Sequence, residues 1–275
     1  MKNNMTVSVV VTIYKDLEAL DIIINALQYQ TVLPNEIIIA EDNNSKEIIE
    51  FIKTINIDGV IIKHTSQEDN GWQRNKSSNN ALRVVESDYI IWIDGDCVPY
   101  PTLVESHVKL SEVNTVLCGR RTEPGEKFST ALRKQEMTID YFLGNYYKNY
   151  FKLKDDEIRH YDDGIYFSPD SFMIKLIAKI RNKENHIVGC HWSSWKKDML
   201  MINGFDEDFI LPTHGEDTDI ERRLRHFGVK MKSCRYSANV IHLYHKKVFN
   251  KVITDQTEKM MASKKDIFVC QNGLK

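Results

Sequence analysis

Short apolar runs alternate with amphipathic stretches through the first hundred residues, and this alternation limits the possible folds more than any other feature. The runs are rich in β-branched residues, which suits strands buried on both faces of a sheet. Strands that alternate with helices predict a mostly parallel sheet covered by helices on both sides, an α/β fold. The predicted strands are residues 7–13, 36–40, 60–63 and 90–93, with helices that begin near Leu17, Lys46 and Arg74.

Polar segments follow these strands at their carboxyl ends, where open α/β sheets bind their ligands. The segments are residues 12–15, 41–44 and 64–72, together with the sequence Asp94-Gly95-Asp96. The chain contains neither a GxGxxG pattern nor a P-loop sequence, so the two commonest nucleotide-binding loops are disfavoured. We therefore predict an acidic ligand pocket of another kind at this edge of the sheet.

Asp94 and Asp96 end the strand of residues 90–93 and are two positions apart. In an extended backbone such residues point the same way, so both carboxylates can face one point. They repel each other unless one is protonated or a cation lies between them. A divalent ion shared with a diphosphate would relieve this repulsion, and Gly95 would let a ligand approach the backbone. The alternative is a solvated turn, because Asp and Gly are common in turns.

A second acidic group opens a predicted helix that Gly228 closes. Helical spacing places Asp217 on a stripe of apolar residues and therefore predicts that it faces inward. The same spacing places Asp219 and Arg223 on a polar, solvent-facing side, with Glu216 between the two sides. An inward carboxylate at the start of a helix is a candidate general base. Helix capping is the alternative for all three acids.

Two histidines lie at the end of the last predicted strand, residues 237–243: His242 within it and His245 two residues after it. His242 and His245 are candidate nitrogen ligands for a metal ion at Asp96, because imidazole and carboxylate groups bind the same divalent transition metals. The alternative is that both histidines have only a structural role.

The composition is that of an ordinary globular protein, with 42% hydrophobic and 28% charged residues. The net charge of −2 provides no basic field, so we expect no nucleic-acid partner. Five cysteines, an odd number without CxxC spacing, predict reduced thiols and neither a disulfide framework nor a zinc site. The sequence shows no signal peptide and no apolar run of transmembrane length, which predicts a cytoplasmic protein.

Residues 141–172 are dense in tyrosine and phenylalanine but show little periodicity. One interpretation is an irregular insertion that packs on its own aromatic side chains. A second is a platform on which acceptor sugars stack, and a third is a patch that contacts a membrane. Residues 171–183 have the pattern of a short basic amphipathic helix, which is consistent with peripheral contact with the inner face of a membrane.

Several of these sequences together resemble family 2 glycosyltransferases of the GT-A fold. The first group consists of VSVVVTIYK, EIIIAEDNNS, EDNGW and IDGDCVP, in that order within roughly the first 120 residues. The second group, GFDEDF and GEDTD within residues 186–246, resembles a carboxyl-terminal module of galactosyltransferases and chondroitin-type polymerases. The resemblance implies a three-layer α/β/α architecture with a mostly parallel central sheet, as in Rossmann-like nucleotide-diphospho-sugar transferases.

The resemblance also implies which residues bind a donor. Either Glu41 or Asp42 would read the uracil of a UDP-sugar, and Asp94 would contact the ribose or a metal ion. One departure is Ser78, which stands where the family more often has an arginine. The other implied nucleotide- or donor-binding residues are Thr12, Tyr14, Asp69, Asn79 and Asp96.

Metal binding and catalysis are implied for the remaining acidic and histidine residues. Asp96, with Asp94 as a possible second carboxylate, would bind Mn²⁺ or Mg²⁺, and His242 or His245 would complete the metal site. Asp217, beside Glu216, would be the catalytic base.

The expected reaction is an inverting transfer of a hexose or N-acetylhexosamine from a UDP-sugar to a hydroxyl of a glycan or lipid-linked acceptor. Such a reaction would belong to the synthesis of surface polysaccharides or glycoconjugates. One alternative is a sugar nucleotidyltransferase, although residues 7–15 lack the glycine-rich loop expected of it. Another is a non-catalytic carbohydrate-binding protein on a degenerate transferase fold.

We expect residues 1–275 to form a single catalytic domain with four parts. Residues 1–121 would bind the nucleotide sugar, and residues 122–185 would be the aromatic insertion. Residues 186–246 would carry the acceptor side and the base, and residues 247–275 would form a carboxyl-terminal helix.

Overall fold

The computed structural model describes residues 5–180, 184–212, 215–246 and 251–275. The strands are β1 (Val7–Ile13), β2 (Glu36–Glu41), β3 (Ile61–Thr65), β4 (Tyr89–Asp94), β5 (Cys97–Pro99), β6 (Thr115–Cys118), β7 (Arg120–Thr122), β8 (His191–Trp195), β9 (Lys230–Ser233) and β10 (Asn239–His242). The helices are α1 (Leu17–Gln28), α2 (Lys46–Thr54), α3 (Arg74–Val84), α4 (Leu103–Leu110), α5 (Glu126–Arg133), α6 (Ile139–Gly144), α7 (Tyr150–Asp155), α8 (Phe172–Ile180), α9 (Lys196–Met201), α10 (Gly215–His226) and α11 (Lys251–Ser263).

The main sheet has seven strands in the order β3-β2-β1-β4-β8-β6-β9. Strand β8 is antiparallel to β4 and β6, and the other neighbouring pairs are parallel. The predicted α/β fold with a mostly parallel sheet is therefore confirmed. The chain runs from β1 out to β2 and β3 and then returns to the other side of β1 as β4. This change of direction leaves a crevice beyond the ends of β1 and β4, where such sheets bind ligands.

A small second sheet lies beside this crevice, in the order β5-β10-β7. Strand β10 is antiparallel to β5, and its register places His242 opposite Cys97. Because Cys97 directly follows Asp96, this pairing brings the late histidine to the acidic end of β4.

Strand β1 is buried on both faces, which explains its unbroken apolar sequence. Val9 and Val11 belong to one hydrophobic core, whereas Val10 belongs to the core on the other side of the sheet. On that second side, Trp92 stacks on Trp192 with ring centroids 5.5 Å apart. The strand order thus places β1 and β4, which carry the crevice, in the most buried part of the sheet.

Asp16 caps the amino terminus of α1, because an oxygen of its side chain accepts a hydrogen bond from the backbone N of Ala19 at 3.1 Å. The same carboxylate pairs with both terminal nitrogens of Arg133, at 2.7 and 2.8 Å. Asp16 therefore ties α5, the first helix after residue 122, to the start of α1 beside the crevice.

Residues 187–192 have the sequence pattern of a strand, but β8 begins only at His191. The backbone N of Ile187 instead donates to Glu221 at 2.7 Å, and that of Gly189 donates to Asp217 at 3.0 Å. The Gly189 carbonyl accepts from Arg74 at 2.8 Å. Side chains thus form hydrogen bonds with backbone groups that a strand would have used to pair with its neighbours.

Part of the aromatic stretch packs on its own side chains, as the first of the three interpretations predicts; that it is an insertion stays a prediction. Phe142 and Tyr146 are buried, and Tyr146 stacks on Tyr161 with centroids 4.7 Å apart. The hydroxyl of Tyr146 also forms a hydrogen bond with Thr122 at 2.8 Å. Other rings of the stretch are on the surface, for example Phe151, which is 75% exposed.

Two predicted surface helices reach the edges of the described ranges. Helix α8 covers the described part of the basic amphipathic segment and exposes Phe172, whereas residues 181–183 lie outside the description. Helix α11 covers part of the predicted carboxyl-terminal helix, and residues 247–250 also lie outside. In the described ranges, every helix is too short or too polar to cross a membrane. The membrane interpretation of α8 stays a prediction.

Glu36, at the start of β2, is a buried carboxylate that joins three parts of the sheet. It accepts a hydrogen bond from Ser8 on β1 at 2.5 Å and from the backbone N of Ser87 at 2.9 Å. Lys63 on β3 pairs with its other oxygen at 2.7 Å. Burial alone would raise the pKa of Glu36, but these hydrogen bonds and the Lys63 charge outweigh burial and lower it to about 2.

We expect Glu36→Gln to make stability less dependent on pH. The ionised form is favoured in the folded state, so its contribution is complete above pH 4.5 and is lost between pH 4.5 and pH 2. A pKa difference of this size corresponds to about 3 kcal/mol. Urea unfolding at several pH values measures it: the gap between wild type and variant should close as the pH falls. The exposed Glu50→Gln serves as control, and a gap independent of pH would contradict the assignment.

Candidate active site

A cavity of about 460 Å³ occupies the crevice beyond β1 and β4. Both acids of the Asp94-Gly95-Asp96 sequence face it, together with residues from the loops after β1, β2 and β3. The lining residues are Thr12, Ile13, Tyr14, Asp16, Asp42, Gly71, Trp72, Arg74, Ser77, Asp94, Gly95, Asp96 and His245.

Asp94 is held by a cation and a hydroxyl. Arg74 Nη2 lies 2.5 Å from its Oδ1, and Thr12 Oγ1 donates to the same oxygen at 3.1 Å. Burial opposes ionisation of Asp94, but the Arg74 guanidinium outweighs it and lowers the pKa of this carboxyl. Thr12 and Asp94 are direct neighbours in the parallel pairing of β1 with β4, so the sheet register fixes this contact. Asp94 is therefore an anion at neutral pH.

Asp96 faces two histidines rather than Arg74. Its Oδ2 lies 3.6 Å from Nε2 of His242 and 3.3 Å from Nε2 of His245. Burial raises the pKa of Asp96 and lowers that of His242, which is the expected behaviour of ligands without an ion. The ligand atoms of the three side chains lie within 4.8 Å of one another. One carboxylate oxygen and two imidazole nitrogens fit a divalent transition metal such as Mn²⁺.

Gly95 is required by the sheet itself. A Cβ at this position would lie 2.8 Å from the backbone oxygen of Thr12 and 2.4 Å from a side-chain carbon of Ile13. The close neighbour of Gly95 in the structure is therefore β1, whereas the sequence predicted that it makes room for a ligand.

Glu216 and Asp217 lie in the first turn of α10, and neither they nor His242 are among the residues that line the cavity. Glu216 is buried, its Oε1 lies 3.9 Å from Arg74 Nη1, and its Oε2 has no hydrogen-bond partner among the described residues. Burial raises the pKa of Glu216 to about 8 despite the nearby Arg74. Asp217 is partly exposed and accepts hydrogen bonds from the backbone N of Gly189 at 3.0 Å and of Thr218 at 2.8 Å. Glu216 is thus the more buried of these two acids, and the prediction that Asp217 is the inward-facing acid of α10 is wrong.

The predicted orientation of α10 is wrong for its polar side. Asp219 and Arg223 are both buried and form an ion pair with 2.7 Å between Nε and Oδ2. Arg223 also donates to the carbonyl oxygens of Ile202 and Gly204, at 2.9 and 2.8 Å. Phe227, on the stripe predicted to be apolar and buried, is 41% exposed. The loop after α9 packs over the polar face of α10. Helical spacing shows which residues share a face but does not predict which face another segment buries.

Three of the predicted donor-binding residues do not line the cavity. Glu41 is fully buried and accepts hydrogen bonds from the Ser45 backbone at 2.7 Å and from His64 at 2.8 Å. Asn79 is equally buried and donates to the carbonyl of Phe205 at 2.8 Å. The third, Asp69, is described next.

Asp69 lies at the outer rim, where it bridges two loops. Its Oδ2 pairs with Lys15 at 2.5 Å and accepts from the hydroxyl of Tyr14 at 3.4 Å. Asp42, in contrast, lines the cavity, and its carboxylate accepts from the side chain of Gln67 at 2.6 Å and the backbone of Gln73 at 2.8 Å. Of the two uracil candidates, only Asp42 thus faces the cavity.

Arg74 is a functional candidate that the sequence analysis missed. It connects the two acidic groups, since it contacts both Asp94 and Glu216. A signal for it was available: Arg74 lies one helical turn before Ser78, on the same face of α3. The arginine expected at position 78 is therefore absent, but a guanidinium is present one turn away.

We expect Asp219→Asn to destabilise the fold by about 3–5 kcal/mol, because it leaves the charge of Arg223 buried without a counterion. Chemical unfolding measures the loss. Glu184→Gln removes an exposed partner of Arg225 in the same region and should cost less than about 1 kcal/mol. Equal effects of the two substitutions would contradict the buried ion pair.

Solved structures with the same fold are glycosyltransferases. A mannosyltransferase from Pyrobaculum calidifontis, in complex with GDP-Man and Mn²⁺, superposes with a TM-score of 0.56 at 11% identity, over 90% of this chain and 59% of that one. GalNAc-T7 with UDP, GalNAc and Mn²⁺ superposes with a TM-score of 0.60 at 14% identity, over 91% and 46% of the two chains. These similarities establish the GT-A fold.

Family models assign the chain more closely. The model of glycosyl transferase family 2 matches residues 8–173, which is more than half of the chain. The model described as the N-terminal domain of galactosyltransferase matches residues 173–246. The chain belongs to glycosyl transferase family 2, as its sequence motifs predicted.

Two curated relatives are synthases of polysaccharides. Chondroitin synthase from Escherichia coli is 31% identical over 117 residues, 42% of this chain and 17% of that protein. Hyaluronan synthase from Pasteurella multocida is 30% identical over 102 residues, 37% of this chain and 10% of that protein. The matched regions are thus a small part of both relatives.

Proposed function

We propose that this protein transfers a hexose or N-acetylhexosamine from a UDP-sugar to a hydroxyl of a glycan or lipid-linked acceptor, with inversion. The observation that carries the proposal is one connected set of charged side chains. Asp94, Asp96, Arg74 and His245 line the cavity, and Arg74 also reaches Glu216, which lies beside Asp217 at the start of α10. A donor diphosphate needs the first group, and an acceptor hydroxyl needs a base such as the second group offers.

The nucleotide would occupy the side of the cavity nearest β1 and β2. Tyr14 and Trp72 offer aromatic faces there, and Asp42 offers a carboxylate that could accept from the N–H of a uracil. Thr12 and Asp94 lie deeper, at the ends of β1 and β4, where a ribose would reach. GalNAc-T7, which has the same fold, was solved with UDP and Mn²⁺, and this similarity supports a uridine nucleotide as the ligand.

Asp96, His242 and His245 would hold a divalent ion, for which we propose Mn²⁺. When bound, such an ion neutralises the charge that develops on a leaving diphosphate. The chain's own contribution is the placement of the ligands. The pairing of β10 with β5 fixes His242, and Asp96 lies in the turn between β4 and β5, where its backbone oxygen accepts from the backbone N of Leu243 at 2.8 Å. Asp94 is committed to Arg74, so we assign it to the donor rather than to the ion.

Asp217 would act as the general base. Its two backbone hydrogen bonds favour the charged carboxylate, and its partial exposure leaves it open to an acceptor. The acceptor oxygen attacks the anomeric carbon as the bond to the diphosphate breaks, and its proton passes to Asp217. Attack opposite the leaving group inverts the anomeric centre. Glu216 would stay protonated and could donate a hydrogen bond to a sugar.

The domain organisation follows from the same cavity. The two family matches meet at residue 173, yet residues from both contribute side chains to one site. We therefore propose that residues 1–246 act as one catalytic unit with an aromatic insertion.

We expect UDP release from one member of a panel of UDP-sugars when Mn²⁺ and acceptor oligosaccharides are present. Asp217→Asn should lower this rate by about 10²–10⁴-fold, the usual contribution of a general base. Binding of UDP, measured by calorimetry, should persist in that variant. Release at the wild-type rate in Asp217→Asn would exclude this base, and no release with any UDP-sugar would exclude the proposed donor class.

We expect Asp96→Ala to abolish the gain in UDP affinity that Mn²⁺ provides, a loss of about 10-fold or more. Calorimetric titration of UDP with and without Mn²⁺ measures this gain. Asp140→Asn, an exposed acid on α6, should titrate like the wild type. If Mn²⁺ strengthens UDP binding equally in Asp96→Ala, the ion is held elsewhere.

A further inference from the structure

A second group of metal-binding side chains lies inside the protein, on the face of the sheet that α4 covers. It consists of His107 on α4, His191 on β8 and Cys234 just after β9. All three are buried, with exposures of 0%, 0% and 1%. Their ligand atoms lie within 4.8 Å of one another, and the two Nε2 atoms are 2.9 Å apart. Three elements that are distant in sequence thus direct nitrogen and sulfur atoms toward one point.

In both imidazoles the Nδ1 atom, which points away from the other ring, already forms a hydrogen bond. Nδ1 of His191 lies 3.2 Å from the backbone oxygen of Arg120, which can only accept, so this nitrogen carries the proton. Its Nε2 is therefore an acceptor, and in the absence of an ion it accepts the hydrogen bond from Nε2–H of His107. Nδ1 of His107 lies 2.7 Å from the hydroxyl of Ser193, which is in turn 2.7 Å from that of Tyr89. Histidines that bind metals commonly have such a second partner on the outer nitrogen.

The backbone is shaped around one of these rings. A Cβ at Gly119 would lie 2.1 Å from Nδ1 of His191, which is too close for any side chain. Glycine at position 119 is thus a condition for the position of the imidazole. To bind an ion, His107 would move its proton from Nε2 to Nδ1, which then donates to the Ser193 hydroxyl, and both Nε2 lone pairs would become available.

The type of ligand atoms selects the type of ion. Two imidazole nitrogens and one thiolate favour Zn²⁺ or Cu⁺, whereas Mn²⁺ and Mg²⁺ prefer oxygen. The cluster of Asp96, His242 and His245, which we call the catalytic cluster, instead includes a carboxylate oxygen. Without an ion, burial raises the pKa of Cys234 to about 12, so the thiolate would form only on metal binding, which releases the proton. Bonds of the usual Zn–N length require about 3.4 Å between the two Nε2 atoms, a small widening.

We propose that His107, His191 and Cys234 form a structural site for a thiophilic cation, Zn²⁺ or Cu⁺, which joins α4 to the central strand β8 and to the end of β9. The site lies within the core, so the ion is bound during folding rather than exchanged afterwards. It departs from our expectation that the chain has no zinc site. That expectation depended on short cysteine spacing, whereas two of these ligands are 84 positions apart.

The test is metal content after refolding. The full chain is unfolded in chelator, refolded with Zn²⁺ or, anaerobically, with Cu⁺, and then dialysed against EDTA to clear exposed sites. We expect about one equivalent of Zn²⁺ or Cu⁺ by mass spectrometry, since an enclosed site should not release its ion. Refolding with Co²⁺ should produce the near-ultraviolet absorption of a thiolate–cobalt bond.

Matched variants identify the ligands. Cys234→Ser should lose the ion and the cobalt absorption, whereas Cys118→Ser, which removes another buried thiol, should keep both. His245→Ala, in the catalytic cluster, should also keep both. A metal content below about 0.1 equivalent of either ion in the wild-type protein would overturn the proposal. His107 and His191 would then be only a hydrogen-bonded pair. Metal lost in His245→Ala but kept in Cys234→Ser would overturn it as well. The wild-type measurement decides even if a variant does not fold.

Discussion

The site depends on how one cavity accommodates several carboxylates. Two like charges 4 Å apart repel by about 4 kcal/mol at the effective dielectric constant of a protein surface, so uncompensated acids would not stay together. Arg74 compensates Asp94 and lies near Glu216, while two histidines face Asp96. Burial keeps Glu216 protonated near neutral pH, which removes a further charge. Each acid therefore has its own means of compensation, and these means separate the roles we propose for them.

The order of the strands makes this arrangement possible. Strands β1 and β4 are parallel neighbours, so their carboxyl ends lie side by side and Thr12 meets Asp94. Gly189 lies just before the antiparallel strand β8. Its backbone oxygen accepts a hydrogen bond from Arg74, and its backbone N donates one to Asp217. The backbone of Gly189 thus positions both Arg74, which holds Asp94, and Asp217, the proposed base. The second sheet adds His242 from near the end of the chain.

Sequence patterns predicted the elements better than their exposed faces. The strands β1, β2 and β4 and the helices α1 to α3 were found because buried runs and caps are local signals. Asp217 and Asp219 show where such signals stop. Spacing along α10 indicates which residues share a face, but the loop after α9 decides which face is covered, and it covers Asp219 and Arg223. Glu41 was similarly displaced from the pocket by its local bonds to Ser45 and His64.

The sequence by itself determined the α/β class, the family and the acidic strand ends, because apolar runs and short motifs are properties of neighbouring residues. Only the tertiary structure decided which side chains meet. It placed Arg74 between Asp94 and Glu216, separated Asp42 from Glu41, and brought His107, His191 and Cys234 together in the core. The physical reason is that these contacts depend on strand order and register, which join residues far apart in the chain and leave no local pattern.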